Sequence, residues 1–208
     1  MNESKQEQPH ITKRQKTVLV VLSLIALCLI VSSVLIFWVL PNVLRSRFRL
    51  DYVEQIQRYS AEYDLEPSLV AAVIYTESSF RPDATSRVGA RGLMQIMPDT
   101  GREIAEALGE PFDEDALYQP EVSIRYGCYY LRKQLDRFDQ NVAVTLAAYN
   151  AGPNRAALWL SEYGLDSNGR ISYIPYGETD RYVKRVLQAQ ENYAGLYPKE
   201  LSRNQTED

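Results

Sequence analysis

The amino-acid sequence predicts a mainly α-helical domain behind a single N-terminal transmembrane helix. Residues 17–40 form an uncharged, mostly apolar run, and a membrane-spanning helix needs about 20 apolar residues. Beyond residue 50, apolar residues recur at helical spacing, with Gly or Pro where helices would end. We see no run of alternating polar and apolar residues that would indicate several strands.

The N-terminal part divides into three predicted segments. Residues 1–16 are polar and are interpreted as a disordered tail, residues 17–40 as the membrane anchor and residues 41–49 as a linker. A signal peptide has an apolar core of about 7–15 residues and a small-residue cleavage site, and this run fits neither. Phe37 and Trp38 are typical of the membrane interface. We therefore predict an uncleaved anchor, whose orientation the nearly balanced flanking basic residues do not decide.

The folded domain is predicted to cover residues 50–197, with a polar tail at 198–208. Its predicted helices share apolar residues spaced three and four apart; they are 50–63, 67–78, 99–108, 120–138, 142–150, 154–163 and 179–193. Residues 81–97, which include two glycines, are predicted to form a loop or short ribbon. Residues 164–178 are rich in Gly, Ser, Asn and Pro and are predicted to be a long loop.

The composition excludes several classes of mechanism. The single histidine, His10, lies in the polar tail, so the folded part has no Ser-His-Asp or Cys-His arrangement and no histidine-based zinc site. Cys28 and Cys128 indicate neither a disulfide nor a metal site. Residues 51–208 carry sixteen Lys and Arg against twenty-five Asp and Glu, which argues against a nucleic-acid partner. We expect no metal and no cofactor, and proton chemistry that falls to Asp, Glu, Lys or Tyr.

One carboxyl lies on an apolar helix face. Val70, Val73, Ile74 and Glu77 recur at the spacing of one face, so Glu77 points to where a core or a groove wall is expected. A carboxyl among apolar neighbours has a raised pKa and stays protonated near neutral pH. This is what a general acid for glycosidic cleavage needs. The pattern by itself favours a buried structural glutamate over a catalytic one.

Three further segments carry polar side chains near predicted turns. Gln95 interrupts an apolar stretch just after two glycines, and its amide could bind an acetamido or hydroxyl group. Tyr149 and Asn150 lie at a predicted helix end, where polar groups either face a cleft or cap the helix. Thr179 is a candidate N-cap of the last helix. Tyr182, on the first turn of that helix, either reaches a cleft or packs in the core.

These four segments, in this order, resemble the family 1 lytic transglycosylases with their soluble-lytic-transglycosylase-like domain. The family pattern is a Glu-Ser pair, then Gly-Leu-Met-Gln, then Ala-Tyr-Asn-Ala-Gly, then a tyrosine in the last helix. The matching residues are Glu77-Ser78, Gly92-Leu93-Met94-Gln95, Ala148-Tyr149-Asn150-Ala151-Gly152 and Tyr182. The resemblance covers about residues 51–195, and four motifs in register are far more specific than any one of them.

The resemblance implies a lysozyme-like, mainly α domain of the α+β lysozyme superfamily, with a groove for peptidoglycan glycan strands. It implies that Glu77 is the catalytic acid and base. The residues that it implies for substrate binding or support of the site are Ser78, Met94, Gln95, Tyr149, Asn150 and Tyr182. It supplies one carboxylate, where most glycosidases use two.

The expected function is a membrane-anchored lytic transglycosylase that leaves a 1,6-anhydro end on N-acetylmuramic acid. One alternative is a hydrolytic muramidase on the same fold, with a second carboxylate from Asp83, Asp99 or Glu178. Another is an inactive peptidoglycan-binding or scaffold module. Because the substrate lies outside the cytoplasm, the domain is expected outside and the N-terminus inside. The sequence identifies no protein partner.

Overall fold

The computed structural model describes residues 12–202, and the chain divides into two compact units, Met1–Arg47 and Phe48–Asp208. The predictions for residues 1–11 and 203–208 lie outside the described residues. Within the described range the chain is mainly helical, and extended backbone pairs only in isolated bridges. The predicted mainly α fold is confirmed.

The described part of the first unit, residues 12–47, is one long helix. It consists of α1, Lys13–Val34, a π-helical stretch, Leu35–Val39, and α2, Leu40–Arg47. The side chains of its most apolar window are not buried, and the mean hydropathy of those 18 residues is 3.1. By length and composition this helix is suited to cross a membrane, a test that an N-terminal signal sequence also passes.

Both ends of this helix extend beyond the predicted span. At the N-terminus Thr12 and Gln15 form a capping box, which starts the helix inside the segment predicted as a disordered tail. At the other end the predicted linker is helical as far as Arg47. The π-helical stretch ends at Val39, two residues before Pro41. Proline has no backbone N–H, and a wider turn nearby accommodates the missing hydrogen bond.

The described part of the second unit contains seven α-helices and one short 3-10 helix. The α-helices are α3 (Val53–Glu62), α4 (Pro67–Ser78), α5 (Pro98–Leu108), α6 (Pro120–Arg137), α7 (Val142–Ala151), α8 (Pro153–Tyr163) and α9 (Gly177–Leu196). All seven predicted helices occur, with ends shifted by no more than three residues. The 3-10 helix, Glu114–Tyr118, was not predicted, because one turn leaves no detectable periodicity.

Helix α4 is the centre of this unit. Each of its residues from 67 to 74 is buried, whereas a surface helix exposes its polar face. Helix α9 packs along α4, and α7 packs against both α8 and α9. Within α4 only Tyr75, Thr76 and Glu77, near its C-terminal end, become partly accessible. The fold therefore brings the glutamate of a core helix to the surface at one point.

The segment between α4 and α5 is a compact ribbon, as predicted for residues 81–97. Arg91 forms isolated bridges with Thr85 and Ile96. Its guanidinium group donates hydrogen bonds to Glu114 and Asp115 at 3.1 and 2.8 Å. These charge-assisted contacts hold the 3-10 helix against the ribbon.

Gly92 allows the ribbon backbone to pass directly against neighbouring segments. Its φ is +74°, and a Cβ there would lie 1.9 Å from the carbonyl oxygen of Leu117 and 2.8 Å from Ser123 Oγ. The same Ser123 hydroxyl accepts a hydrogen bond from the Met94 N–H at 3.1 Å. Both the backbone conformation and the close approach therefore require glycine.

We expect Gly92→Ala to lower the free energy of unfolding by about 3 kcal/mol, because overpacking adds to the strain of a positive φ. Gly89→Ala is the matched control, since Gly89 has a φ of +89° but open space around it; its cost should be about 1 kcal/mol. Urea unfolding of the full chain in detergent, followed by tryptophan fluorescence in a Trp38→Phe background so that Trp159 is the remaining tryptophan, measures both. Equal losses in the two variants would contradict the close-approach argument.

Candidate active site

The candidate site lies where the ends of three helices meet. Glu77 is in the last turn of α4, Tyr149 is near the end of α7 and Tyr182 is near the start of α9. The charge of Glu77 acts on the hydroxyls of both tyrosines. Thr179 and Asn150 join α9 to α7 through a side-chain hydrogen bond of 2.8 Å. Three of the four sequence motifs thus converge on one carboxyl.

The Glu77 carboxyl is largely withdrawn from water. Burial raises its pKa from 4.5 to about 7, and the Tyr182 hydroxyl and the charge of Arg185 oppose this rise only in part. Part of the side chain remains accessible, so a ligand can reach it. A carboxyl with a pKa near 7 can donate a proton and take one back at neutral pH. The direction of the shift agrees with that expected from the apolar helix face.

The two tyrosines beside Glu77 remain protonated. Burial, and then the charge of Glu77, raise the pKa of both Tyr149 and Tyr182 well above the usual range. The Tyr149 hydroxyl donates to the carbonyl oxygen of Met94 at 2.8 Å. The Tyr182 hydroxyl is buried and forms no well-aligned hydrogen bond with any described residue. It is nevertheless close enough to Glu77 to lower the pKa of the Glu77 carboxyl. It is therefore a donor available to the Glu77 carboxylate.

The described residues that shift the pKa of Glu77 include no second carboxylate; they are Tyr182 and Arg185. The three acidic residues considered from the sequence, Asp83, Asp99 and Glu178, are all exposed. Asp99 instead pairs with Arg102 at 2.9 Å. The geometry thus isolates Glu77 as the one carboxyl of this site within the described part of the chain.

Gln95 is held in a left-handed backbone conformation, with a φ of +49°. Its side-chain Nε2 donates to the carbonyl oxygens of Ala84 at 3.0 Å and Gly92 at 2.9 Å. Both amide protons are therefore used within the ribbon, and only Oε1 is left for a ligand. A non-glycine residue in this region is uncommon and often marks a functional site.

A cavity of about 220 Å³ opens beside Tyr149. Its lining consists of Gln95, Ile96, Met97, Thr100, Tyr130, Tyr149, Asn150, Ala151 and Gly152. The rings of Tyr130 and Tyr149 pack edge to face with centroids 5.4 Å apart. Apolar and aromatic walls with a few polar groups are typical of a ligand pocket. The cavity brings together three predicted site residues, Gln95, Tyr149 and Asn150.

Two of the residues predicted to bind substrate, Ser78 and Met94, are buried. The Ser78 side chain is 2% exposed, and its hydroxyl lies 2.8 Å from the carbonyl oxygen of Leu93. Met94 is completely buried and packs against Gly127, where a Cβ would lie 2.2 Å from its sulfur. Contact of these two side chains with substrate stays a prediction, and their contacts in this structure are with the protein itself. They fix the ribbon against α4 and α6.

Thr179 has a different role from the predicted one. Helix α9 begins at Gly177, after Tyr176, which forms no side-chain cap. Thr179 is buried and its hydroxyl donates to Asn150 Oδ1. The expectation of an N-cap is therefore wrong, and the residue positions Asn150 at the edge of the cavity.

The sequence did not identify Met97, Thr100 and Tyr130 as cavity residues. Tyr130 lies on α6, where its spacing from the other apolar residues of that helix indicates only ordinary helix packing. Met97 and Thr100 lie at the start of α5, close to Gln95 in sequence, and this closeness is the one signal that could have indicated them. Arg185 carried no sequence signal, because its effect on Glu77 depends on how α9 packs.

A family model described as a transglycosylase SLT domain matches residues 54–168. The chain belongs to this family. The SLT match covers more than half of the chain and includes three of the four motifs, while Tyr182 lies beyond it. The family recognised from the sequence is confirmed.

Similar proteins carry the same domain within longer chains. The soluble lytic murein transglycosylase of Escherichia coli K12 is 36% identical over 148 residues, which are 69% of this chain and 23% of that protein. Membrane-bound lytic murein transglycosylase C of Actinobacillus pleuropneumoniae is 30% identical over 167 residues, 68% of this chain and 45% of that one. This chain thus spans less than a quarter of the length of the Escherichia coli relative.

A solved structure supports the same fold. The lytic transglycosylase Slt of Pseudomonas aeruginosa, in an inactive mutant with glutamine in place of a glutamate, matches with a TM-score of 0.65 and 34% identity. The match covers 73% of this chain and 25% of that chain. The SLT fold of this domain is therefore shown by both sequence and structure.

We expect Glu77→Gln to stabilise the chain above pH 7 and to leave it unchanged below about pH 4. The folded-state pKa lies above the unfolded value of 4.5, so the folded state binds more protons and stability falls as pH rises from 4.5 to about 7. The ionised carboxyl then costs at most about 3 kcal/mol, less the share screened by solvent. Urea unfolding of the parent and of Glu77→Gln, below about pH 4 and above pH 7, measures the difference in their free energies of unfolding. A difference that does not change with pH would contradict the prediction.

Proposed function

We propose that this chain is a membrane-anchored peptidoglycan lytic transglycosylase that cleaves the β-1,4 bond between N-acetylmuramic acid and N-acetylglucosamine. The observation that carries the proposal is Glu77, a single desolvated carboxyl with a pKa of about 7. Membership of the SLT family supports it, as do relatives named lytic murein transglycosylases. The inactive glutamate-to-glutamine mutant of the Pseudomonas aeruginosa relative is in keeping with dependence on one glutamate.

In the first step Glu77 acts as the acid. The protonated carboxyl donates its proton to the oxygen that bridges C1 of N-acetylmuramic acid and C4 of N-acetylglucosamine. The C1–O bond breaks, and the N-acetylglucosamine portion leaves with a new 4-hydroxyl. The 2-acetamido group of the muramic sugar stabilises the positive charge that develops at C1. Burial favours this step because it keeps the Glu77 proton available at neutral pH.

In the second step Glu77 acts as the base. Its carboxylate removes the proton of the 6-hydroxyl of the same muramic sugar, and O6 bonds to C1 to close a 1,6-anhydro ring. Glu77 is protonated again, and no water is consumed. The Tyr182 hydroxyl, which is buried and without another described acceptor, can donate to the carboxylate between the two steps. Its lowering effect on the pKa of Glu77 has the direction expected of such a donor.

The hydrolytic alternative needs a positioned water and a second carboxylate. Asp83, Asp99 and Glu178 are exposed, and none of them shifts the pKa of Glu77. The surroundings of Glu77 therefore favour internal attack by the sugar hydroxyl. An inactive binding module is also disfavoured, because a desolvated carboxyl destabilises the folded state without helping such a role.

The membrane part of the proposal rests on the first unit. The helix Lys13–Arg47 is long and apolar enough to span a bilayer, and one relative is named a membrane-bound transglycosylase. Peptidoglycan lies outside the cytoplasm, so we place the SLT domain there and the N-terminus inside. Mean hydropathy and length support an anchor, and the absence of a small-residue cleavage site argues against removal of this segment.

Mass spectrometry of peptidoglycan digested by the full chain in detergent tests the chemistry. We expect products that end in 1,6-anhydro-N-acetylmuramic acid, lighter than hydrolysis products by one water. Glu77→Gln should lower the rate by at least about a hundredfold, because it removes general acid-base catalysis. Asp99→Asn, at an exposed position, is the control and should retain the rate. Products with free reducing ends would contradict the proposed second step.

Fractionation of cells that produce the full chain tests the anchor. We expect the intact chain in the membrane fraction after alkaline washing, because a spanning apolar helix is not released by salt or pH. A chain without residues 1–47 is the control and should be soluble. Added protease should digest the SLT domain in spheroplasts without lysis. A soluble product shortened at its N-terminus would show a cleaved signal instead.

A further inference from the structure

An aromatic and basic cluster lies at the edge of the candidate site and has no part in the proposed reaction. It consists of Arg155 and Trp159 on α8 and Tyr176 just before α9. The Arg155 guanidinium lies 5.4 Å from the centroid of the Tyr176 ring. The rings of Trp159 and Tyr176 are 5.2 Å apart and inclined by 67°. We refer to these three residues as the rim cluster.

The rim cluster is continuous with the cavity wall. Gly152, whose φ is +93°, is the one residue between α7 and α8, so α8 starts at the wall itself. Arg155 Nη1 donates to the carbonyl oxygen of Ala151 at 3.2 Å, and Ala151 and Gly152 both line the cavity. Arg155 therefore touches the wall and the Tyr176 ring at once. A strand leaving the cavity across Ala151 would next meet this cluster.

Tyr176 is an exposed ring held in a fixed position. It keeps 49% of its surface open, whereas Trp159 beneath it is 5% exposed. An aromatic ring already restrained by its neighbours loses little conformational freedom on binding. Aromatic rings carry negative charge density on their faces, which suits the polarised C–H groups on the face of a pyranose ring. Arg155 adds N–H groups that can donate hydrogen bonds to a carbonyl or hydroxyl oxygen of a sugar.

We propose that Arg155 and Tyr176 form a distal subsite for one N-acetylated pyranose of the glycan strand, outside the cavity that Tyr149 and Asn150 line. This inference rests on the proposed function and extends it, because it makes the groove longer than the bond-cleaving pocket. The subsite contributes binding of long strands and takes no part in proton transfer. The chain then holds a strand at two points, the cavity and the rim cluster.

The neighbouring Tyr173 provides a matched control. It is 57% exposed, and its ring packs edge to face on Tyr163 with centroids 5.1 Å apart. It resembles Tyr176 in exposure and in its supporting ring, but no described contact links it to a residue of the cavity wall. A general effect of exposed aromatic surface would appear at both tyrosines, and a subsite only at Tyr176.

The test measures binding by the full chain in detergent, in the Glu77→Gln background so that strands stay intact. The probes are peptide-free peptidoglycan strands, as tetrasaccharides and as long strands. We expect Tyr176→Ala to weaken binding of long strands about tenfold, from the loss of one ring contact, and to leave tetrasaccharide binding unchanged. Tyr176→Phe should bind like the parent, and Arg155→Gln should weaken long-strand binding in the same direction. Tyr173→Ala should have no effect.

Each other outcome overturns the subsite. Unchanged long-strand binding in Tyr176→Ala would do so, as would an equal loss for tetrasaccharides and long strands, or an equal loss in Tyr173→Ala. If Tyr176→Ala unfolds, Arg155→Gln decides in its place, and normal long-strand binding by Arg155→Gln then overturns the subsite. Failure of the Glu77→Gln chain itself to bind any strand would instead count against the proposed function.

Discussion

Desolvation of the Glu77 carboxyl is the constraint on which the site depends. A carboxyl in water has a pKa near 4.5, far too low for it to remain an acid at neutral pH. Here burial raises that pKa to about 7. The shift requires a helix whose other faces are covered, and α4 meets this requirement because its residues 67–74 are all buried. The core and the candidate catalytic group are therefore parts of the same helix.

The motif residues around Glu77 act mainly by holding backbone in place. Ser78 reaches the carbonyl oxygen of Leu93, and Tyr149 reaches that of Met94. These two bonds fix the ribbon against α4 and α7. Gln95 uses both of its amide protons within the same ribbon. Two neighbouring carbonyl groups are thus hydrogen-bonded from two different helices, which keeps the cavity wall rigid beside a partly exposed carboxyl.

Much of the fold followed from local patterns. The helices were predicted within three residues of their observed ends, because proline at the first turn and glycine after the last turn mark helix boundaries. Elements of about one turn, such as the 3-10 helix Glu114–Tyr118, were not predicted because they are too short to show a periodic pattern. Side-chain direction was harder to predict. The burial of Ser78 and Met94 was not predicted, because neighbouring residues on a helix or ribbon point in different directions and only packing decides which one is covered.

The sequence by itself determined the family, the apolar N-terminal helix and the mainly α fold, and it singled out Glu77 as the candidate acid, because ordered motifs and the absence of histidine from residues 51–208 are properties of the chain. Only the tertiary structure decided how far the pKa of Glu77 rises and that no second carboxylate acts on it within the described residues. It alone placed Arg155 between Ala151 and Tyr176. Burial and charge interactions depend on distances between residues remote in sequence, and such distances exist only once the helices have packed.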